Sequence, residues 1–391
     1  MSATDSPLSG LRVLDLTRVL AGPYVGRMLA DLGAEVVKVE PPEGDVSRKW
    51  GRIIAGLSGY YTQQNVGKRG ICVDLNTEAG PELIARLAEQ ADIVIENFRP
   101  GVLARYGLAY EQLRARNPRL VMASISGFGQ DGPEAQRPAY AAVAHAESGI
   151  VHRQAHIDGA KPTDLRVSVA DMNAALHALV GLLAAVVMRQ RTGRGQHVDI
   201  AMVDTMVATD DYVHLALDGV REEAGVVVNE VWDVVGGPIL IAGDFRWIWR
   251  QLHETHGLKD PTPEGASIEV KSRCRHQAVA DFFAGFDDRG ALLQALSRAN
   301  LAVGEIKPTS QALQSTTLEA RGSIASVSDR AGGSRRVVQS PYRYSDAQSG
   351  ANPEGAPRRG EHNWAVLRAW LSLPDDEIAA LETAGTLLSE A

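Results

Sequence analysis

The chain has 391 residues, 45% of them hydrophobic and 23% charged, with a net charge of −8. That is more chain than one core usually serves, so two lobes are expected, in a composition typical of soluble globular proteins. The acidic balance argues against general nucleic-acid binding, although a few local Arg and Lys residues suffice to hold a polyanionic small ligand.

In chain order, the first forty residues carry the clearest pattern. Leu11 to Leu16 (LRVLDL) reads as a short apolar strand, AGPYVGRMLADLG as a helix with Leu, Met and Val at helical spacing, and Ala34 to Val39 (AEVVKV) as a second buried strand. Strand, turn, helix and strand in so short a span make a βαβ unit with a parallel sheet. The pattern recurs at Gly70 to Leu75, in a helix near Pro81 to Gln90, at Ile93 to Glu96 and at Leu120 to Ile125. A doubly wound α/β domain is therefore expected, with its ligand at the carboxyl ends of the strands.

Asp171 to Arg191 reads as a long Ala-rich helix, with Asp171 at its start, where an Asp can cap free N–H groups. Strand His197 to Ala201 follows. From about residue 222 the character changes: Val226 to Ala242 reads as strands, and Trp247 to His256 and His276 to Ala284 as helices. A strand-like return at Val337 to Tyr344 and a helical tail at Asn363 to Ala384 complete the chain.

The fingerprint GxGxxG is absent from the first turn, where the glycines are Gly22 and Gly26. Thr192-Gly-Arg-Gly-Gln196 follows a helix and precedes a strand, the reverse of the phosphate-cradle order, so a nicotinamide cofactor is not expected. An apolar run of about 18 residues, the length of a membrane span, is not found. MSATDSPLSG lacks the basic-then-apolar order of a signal peptide. Cys72 and Cys274 form no CxxC pair and no metal spacing, so a cytoplasmic location is expected.

LSGLRVLDLTRVLAGPYVGRMLADLGAEVVKVEPPEGD closely resembles the opening of class III coenzyme A transferases, the CaiB/BaiF family. NVGKRGICVDL, ADIVIENFRPGVLARYGL, VADMNAALHALVGLLAAVVMRQRTGRGQHVDIAMVD and RRGEHNWAVLRAWLSL match further blocks in order, and the likeness is weakest between about 222 and 320. The resemblance implies a large Rossmann-like CoA-binding domain of residues 1–221 and 323–391, a smaller inserted α+β domain of 222–322, and two chains threaded through one another as an interlocked homodimer. It implies acyl-CoA and a carboxylic acid as substrates, with no permanently bound cofactor and no metal.

The family's nucleophilic Asp falls on Asp171. A carboxylate with an ordinary pKa of about 3.9 is ionised at neutral pH and needs no partner base to attack a thioester. The alternative reading of Asp171, from position alone, is a helix cap. For CoA the resemblance implies Arg18, Leu20 and Ala21 in the first turn, then Val73, Leu75 and Asn76, then Asn97, Phe98, Arg99 and Arg105. Arg99 and Arg105 suit forked pairing with phosphates, and Phe98 offers an apolar surface beside them; a solvated surface charge for either Arg and core packing for Phe98 are the other readings. Tyr140 and His145, in PAYAAVAHAESG, fall in a segment that approaches the active site in relatives; a structural histidine is the other reading of His145.

Three departures stand out. Leu20 replaces a frequent Gln, Asn76 replaces a frequent Lys, and no glycine run lies between 222 and 320. α-Methylacyl-CoA racemases share these motifs and use an Asp–His pair for proton transfer, but the racemase His falls on Tyr140. Racemase-like proton transfer and a CoA-binding protein without catalysis are the competing functions.

Overall fold

A computed structural model of the chain describes residues 6–220 and 229–390. Six strands form the large sheet: β1 (Arg12–Asp15), β2 (Glu35–Glu40), β3 (Arg69–Cys72), β4 (Ile93–Glu96), β5 (Val121–Ser126) and β6 (His197–Ala201). They lie in the order β3-β2-β1-β4-β5-β6, every pair parallel, with Leu14 opposite both Val37 and Val94. Parallel strands buried on both faces need near-continuous apolar runs, and LRVLDL, EVVKVE and IVIE supply them. The order reverses between β1 and β4, which opens a crevice at the carboxyl ends of those two strands.

Alternation along the strands divides the core in two. Val13, Val36, Ile93, Ile95 and Val121 face helices α1 (Ala21–Asp31) and α4 (Val169–Thr192). Leu14, Val37, Ile71, Val94 and Met122 face α2 (Ala79–Glu89) and the tail helix Asn363–Leu371. The tail is stitched to β3, where the Asn363 side chain accepts from Cys72 N–H at 3.0 Å. Between α2 and α4 lies the short helix α3 (Ala141–Glu147).

The chain divides into two compact units, Met1–Asp211 with Glu319–Ala391, and Tyr212–Leu318. The second begins upstream of the composition change at 222 and includes the short helix Val213–Leu217. It has an antiparallel sheet of β7 (Glu230–Trp232), β8 (Ile239–Ala242) and β9 (Ala302–Glu305), and a core in which Ile241, Trp249, Leu252 and Phe283 pack together. Its helices are Phe245–His256, Ile268–Ala284 and Arg289–Arg298.

Several boundaries differ from the sequence reading. The second of these helices starts at Ile268 rather than His276, because the Ser267 hydroxyl caps it by accepting from Val270 N–H. The strand stretch expected from Val226 begins outside the described residues and is interrupted between Trp232 and Ile239. The return strand ends at Val338, in a hairpin of β10 (Ile324–Ser328) with β11 (Ser334–Val338). The helical tail breaks in two at Ser372, which sits at φ 53° just before Pro374, and resumes at Asp375–Thr383. Asp171 is not the cap of α4: the helix starts two residues earlier, after Ser168. By length and composition α4 could cross a membrane. Asn173 and His177 hide this from a search for an unbroken apolar run, and here one side of the helix packs on the sheet.

Candidate active site

The turn from β1 into α1 is held from outside. Val19 adopts φ 73°, a left-handed conformation that strains a β-branched residue. Two side chains fix it there. The Asn97 amide accepts from Arg18 N–H at 2.9 Å and donates to the Arg18 carbonyl at 2.8 Å. The Asp45 carboxylate accepts from Val19 N–H at 3.2 Å. Asp45 in turn pairs with Lys38 at 3.2 Å, and Lys38 Nζ donates to the Thr17 carbonyl at 2.7 Å. Burial pushes the Lys38 pKa down, but Asp45, Asp15 and Glu40 together hold it above the ordinary value. Burial pushes Asp45 up, but Lys38 and Ser47 hold it below. Both therefore stay charged in the interior. Gly26 lets α1 lie directly over this network, since a Cβ there would meet the Asp15 carboxylate at 2.5 Å.

The clamped turn brings the first N–H of α1, that of Ala21, beside the Asp171 carboxylate, where it favours the charged form. Asp171 itself stands in the first turn of α4, where the backbone N–H groups also favour its charged form. Two helix N-termini thus converge on one partly buried carboxylate, each a favourable site for negative charge. Burial nevertheless pushes its pKa up to about 6, against the pull of the backbone N–H groups of Ala21 and of Asp171 itself. Asp171 is thus not the carboxylate of ordinary acidity expected from sequence. It is still mostly ionised at pH 7, and it is a more basic carboxylate than an exposed one.

Asp171 lines a cavity of about 620 Å³. That volume lies within the range of small-molecule sites. Of the expected residues, Arg18, Val73, Leu75, Asn76, Asn97, Phe98, Arg99 and Tyr140 line it too. The Arg18 guanidinium lies 5.6 Å from the centre of the Phe98 ring, which makes a cationic and aromatic wall. The Asn97 amide is occupied with the Arg18 backbone, so its side chain shapes the turn. Asn76 donates to Asp74 at 3.0 Å.

Four expected residues lie elsewhere. Leu20 is buried at the start of α1, and Ala21 contributes its backbone N–H. Arg105 is exposed on a short turn of helix, Leu103–Tyr106, outside the cavity wall. His145 is 1% exposed, and both of its ring nitrogens are engaged within the protein, with Asp164 and with Ala170 N–H. It is not free to touch substrate. Among the described residues, no group of three or more His, Cys, Asp or Glu side chains is arranged to hold a metal ion.

Residues 8–363 match the CoA-transferase family III. The chain belongs to that family. It is 33% identical to succinyl-CoA–D-citramalate CoA-transferase from Chloroflexus aurantiacus, over 96% of this chain and 97% of the relative. It is 32% identical to formyl-CoA:oxalate CoA-transferase from Streptomyces avermitilis, over 97% of this chain and 99% of the relative. A CaiB/BaiF family protein from Brucella suis superposes with a TM-score of 0.78 at 32% identity, over 93% of this chain and 99% of that one. The protein is thus a CoA-transferase of this family, and enzymes of the family take CoA thioesters as substrates.

Sequence reasoning missed part of this transferase's site. Asp45 and Ser126 line the cavity, and Glu96 supports its wall by accepting from Phe98 N–H at 2.8 Å. Burial pushes Glu96 up to about 7, against bonds from Ser124 and Phe98. Asp45 had a visible signal, as the last residue of the block that opens the resemblance. Ser126 had one as the last residue of a strand whose carboxyl end faces the crevice. Glu96 had none, because a carboxylate closing a strand reads equally well as a surface charge.

Proposed function

We propose that this enzyme moves CoA from an acyl-CoA to a free carboxylic acid through covalent intermediates on Asp171. The observation that carries the reading is the Asp171 carboxylate at two converging helix N-termini, in the same cavity as Arg18, Phe98 and Arg99. An Asp171 oxygen attacks the thioester carbonyl. The C–S bond breaks, CoA leaves as a thiolate, and Asp171 holds the acyl group as a mixed anhydride. The thiolate then attacks the aspartyl carbonyl, the first acid leaves as its carboxylate, and Asp171 carries CoA as a thioester. An acceptor carboxylate reverses both steps and departs as the new acyl-CoA. Each attack on the aspartyl carbonyl places negative charge on an oxygen facing the Ala21 N–H and the start of α4, which is where fixed donors help most.

Arg18 and Arg99 supply charge for the CoA phosphates, and Phe98 an apolar face. Racemase-like proton transfer fits less well, because position 140 is Tyr140 and the lone pair of His145 Nε2 is taken by Ala170 N–H. We take succinyl-CoA as the donor, from the name of the succinyl-CoA–D-citramalate CoA-transferase relative, and Asp171→Ala is then expected to cut exchange of labelled succinate with it below a few per cent of wild type. CoA binding should stay within about tenfold, or about 1.4 kcal/mol. Substantial exchange by the variant would sink the covalent mechanism.

We further propose an interlocked homodimer with the family's inserted smaller domain, and a cytoplasmic enzyme. Support for the dimer comes from a stripe of exposed apolar side chains on α4, Leu176, Val180, Val187 and Met188, which a second copy would cover. Both cysteines are free thiols, as suits a reducing compartment. Tagged and untagged dimers should exchange no subunits over hours in native buffer; exchange within minutes rules the interlock out.

A further inference from the structure

The first four N–H groups of any helix lack partners inside it. In α4 two of them, those of Val169 and Ala170, have partners outside it. Val169 N–H donates to the Val167 carbonyl at 2.8 Å, and the regular helical bonds begin with Met172 N–H to the Ser168 carbonyl at 3.2 Å. Ala170 N–H donates to His145 Nε2 at 3.1 Å. Ser168, the residue in the capping position, makes no side-chain cap bond. A histidine from another helix, α3, thus does the work that a Ser, Asp or Asn usually does from within the chain.

The ring geometry fixes the chemistry of this cap. An N–H pointing at Nε2 requires an unprotonated Nε2, so the proton sits on Nδ1, where it is donated to Asp164 at 2.9 Å. His145 is neutral in this arrangement and fully enclosed, while Asp164 reaches it from the loop before α4 with its own side chain half-exposed. We infer that His145 is a positioning residue for transfer: with Asp164 behind it, it holds the first turn of α4, from which the Asp171 side chain lines the cavity. Without the cap, Ala170 N–H becomes a competing donor one residue from the nucleophile, and the turn that aims Asp171 loses its anchor. The inference rests on Asp171 being the nucleophile.

The test pairs two substitutions in the full-length enzyme. In His145→Gln, the amide oxygen can accept from Ala170 N–H and the amide nitrogen can donate to Asp164. His145→Leu keeps the bulk and loses both bonds. The readouts are hydrogen–deuterium exchange of the peptide covering 168–172, and kcat and KM for exchange of labelled succinate with succinyl-CoA. His145→Leu should lose protection at this peptide and at least about tenfold in kcat, with KM within about threefold; His145→Gln should recover most of both. Unchanged protection or unchanged kcat in His145→Leu overturns the inference. A raised KM with protection intact does so too, by making His145 a substrate contact. If His145→Leu does not fold, Asp164→Ala, altering a half-exposed side chain, should show the same two effects at smaller size, and its failure to do so is equally decisive. Failure of the nucleophile reading is seen separately, as retained exchange in Asp171→Ala whatever the His145 variants do.

Discussion

The two helices that meet at Asp171 are held by opposite means. The start of α1 is fixed by charge: a strained Val19 is pinned by Asp45, which is paired with Lys38 in the interior, and by the Asn97 amide. The start of α4 is fixed by a neutral imidazole. The first arrangement belongs to the fold, because Lys38 and Asp45 sit on and just after a central strand and cannot lose each other without leaving a charge buried. The second is local, built on one short helix and one loop. The same task, aiming an N-terminus at a carboxylate, is thus done once at high stake to stability and once at low stake.

The sharpest way to break this contrast is at the charged clamp. Asp45→Ala strands Lys38 and is expected to lower unfolding free energy by about 3–5 kcal/mol, as urea denaturation would read it. Asn97→Ala removes two neutral hydrogen bonds from the same turn, so a loss of about 1–2 kcal/mol is expected. If Asp45→Ala cost no more than Asn97→Ala, the buried pair would not be what holds the turn.

A gentler effect follows from pH. Burial holds the Asp171 proton to about pH 6. On the proposed mechanism the reactive carboxylate form of Asp171 is lost as pH falls through 6, so kcat/KM for succinyl-CoA exchange should drop about tenfold per unit below it. An acid limb centred near pH 4, the range of an exposed carboxylate, would show that Asp171 is not desolvated in the working enzyme.

How much of this was legible in the sequence depends on the reach of each interaction. β1, α1 and β2 could be read because their signals are local, apolar runs broken by turn residues. So could the parallel sheet, because LRVLDL and IVIE are apolar on both faces. The helix Ile268–Ala284 was read short because, of its seventeen residues, only Val279 and Phe283 are buried, leaving little amphipathic pattern. Asp171 was visible through resemblance, but its raised pKa was not, since burial depends on elements far along the chain. The roles of Asp45 and His145 were hidden for the same reason. Asp45 acts on a residue 26 positions away, and His145 on a backbone N–H 25 positions on. No spacing rule connects such pairs, and His145 in an Ala-rich segment reads as core or contact with equal ease.

The central claim is that acyl and CoA pass through Asp171. Its most direct test is mass spectrometry of the peptide containing Asp171 after brief incubation of the enzyme with succinyl-CoA and rapid acid quench. The account predicts a succinyl or CoA mass increment on Asp171, absent from Asp171→Ala and removed by adding free succinate with CoA. An increment on a different residue, or steady turnover with Asp171 unmodified under every quench, would contradict it.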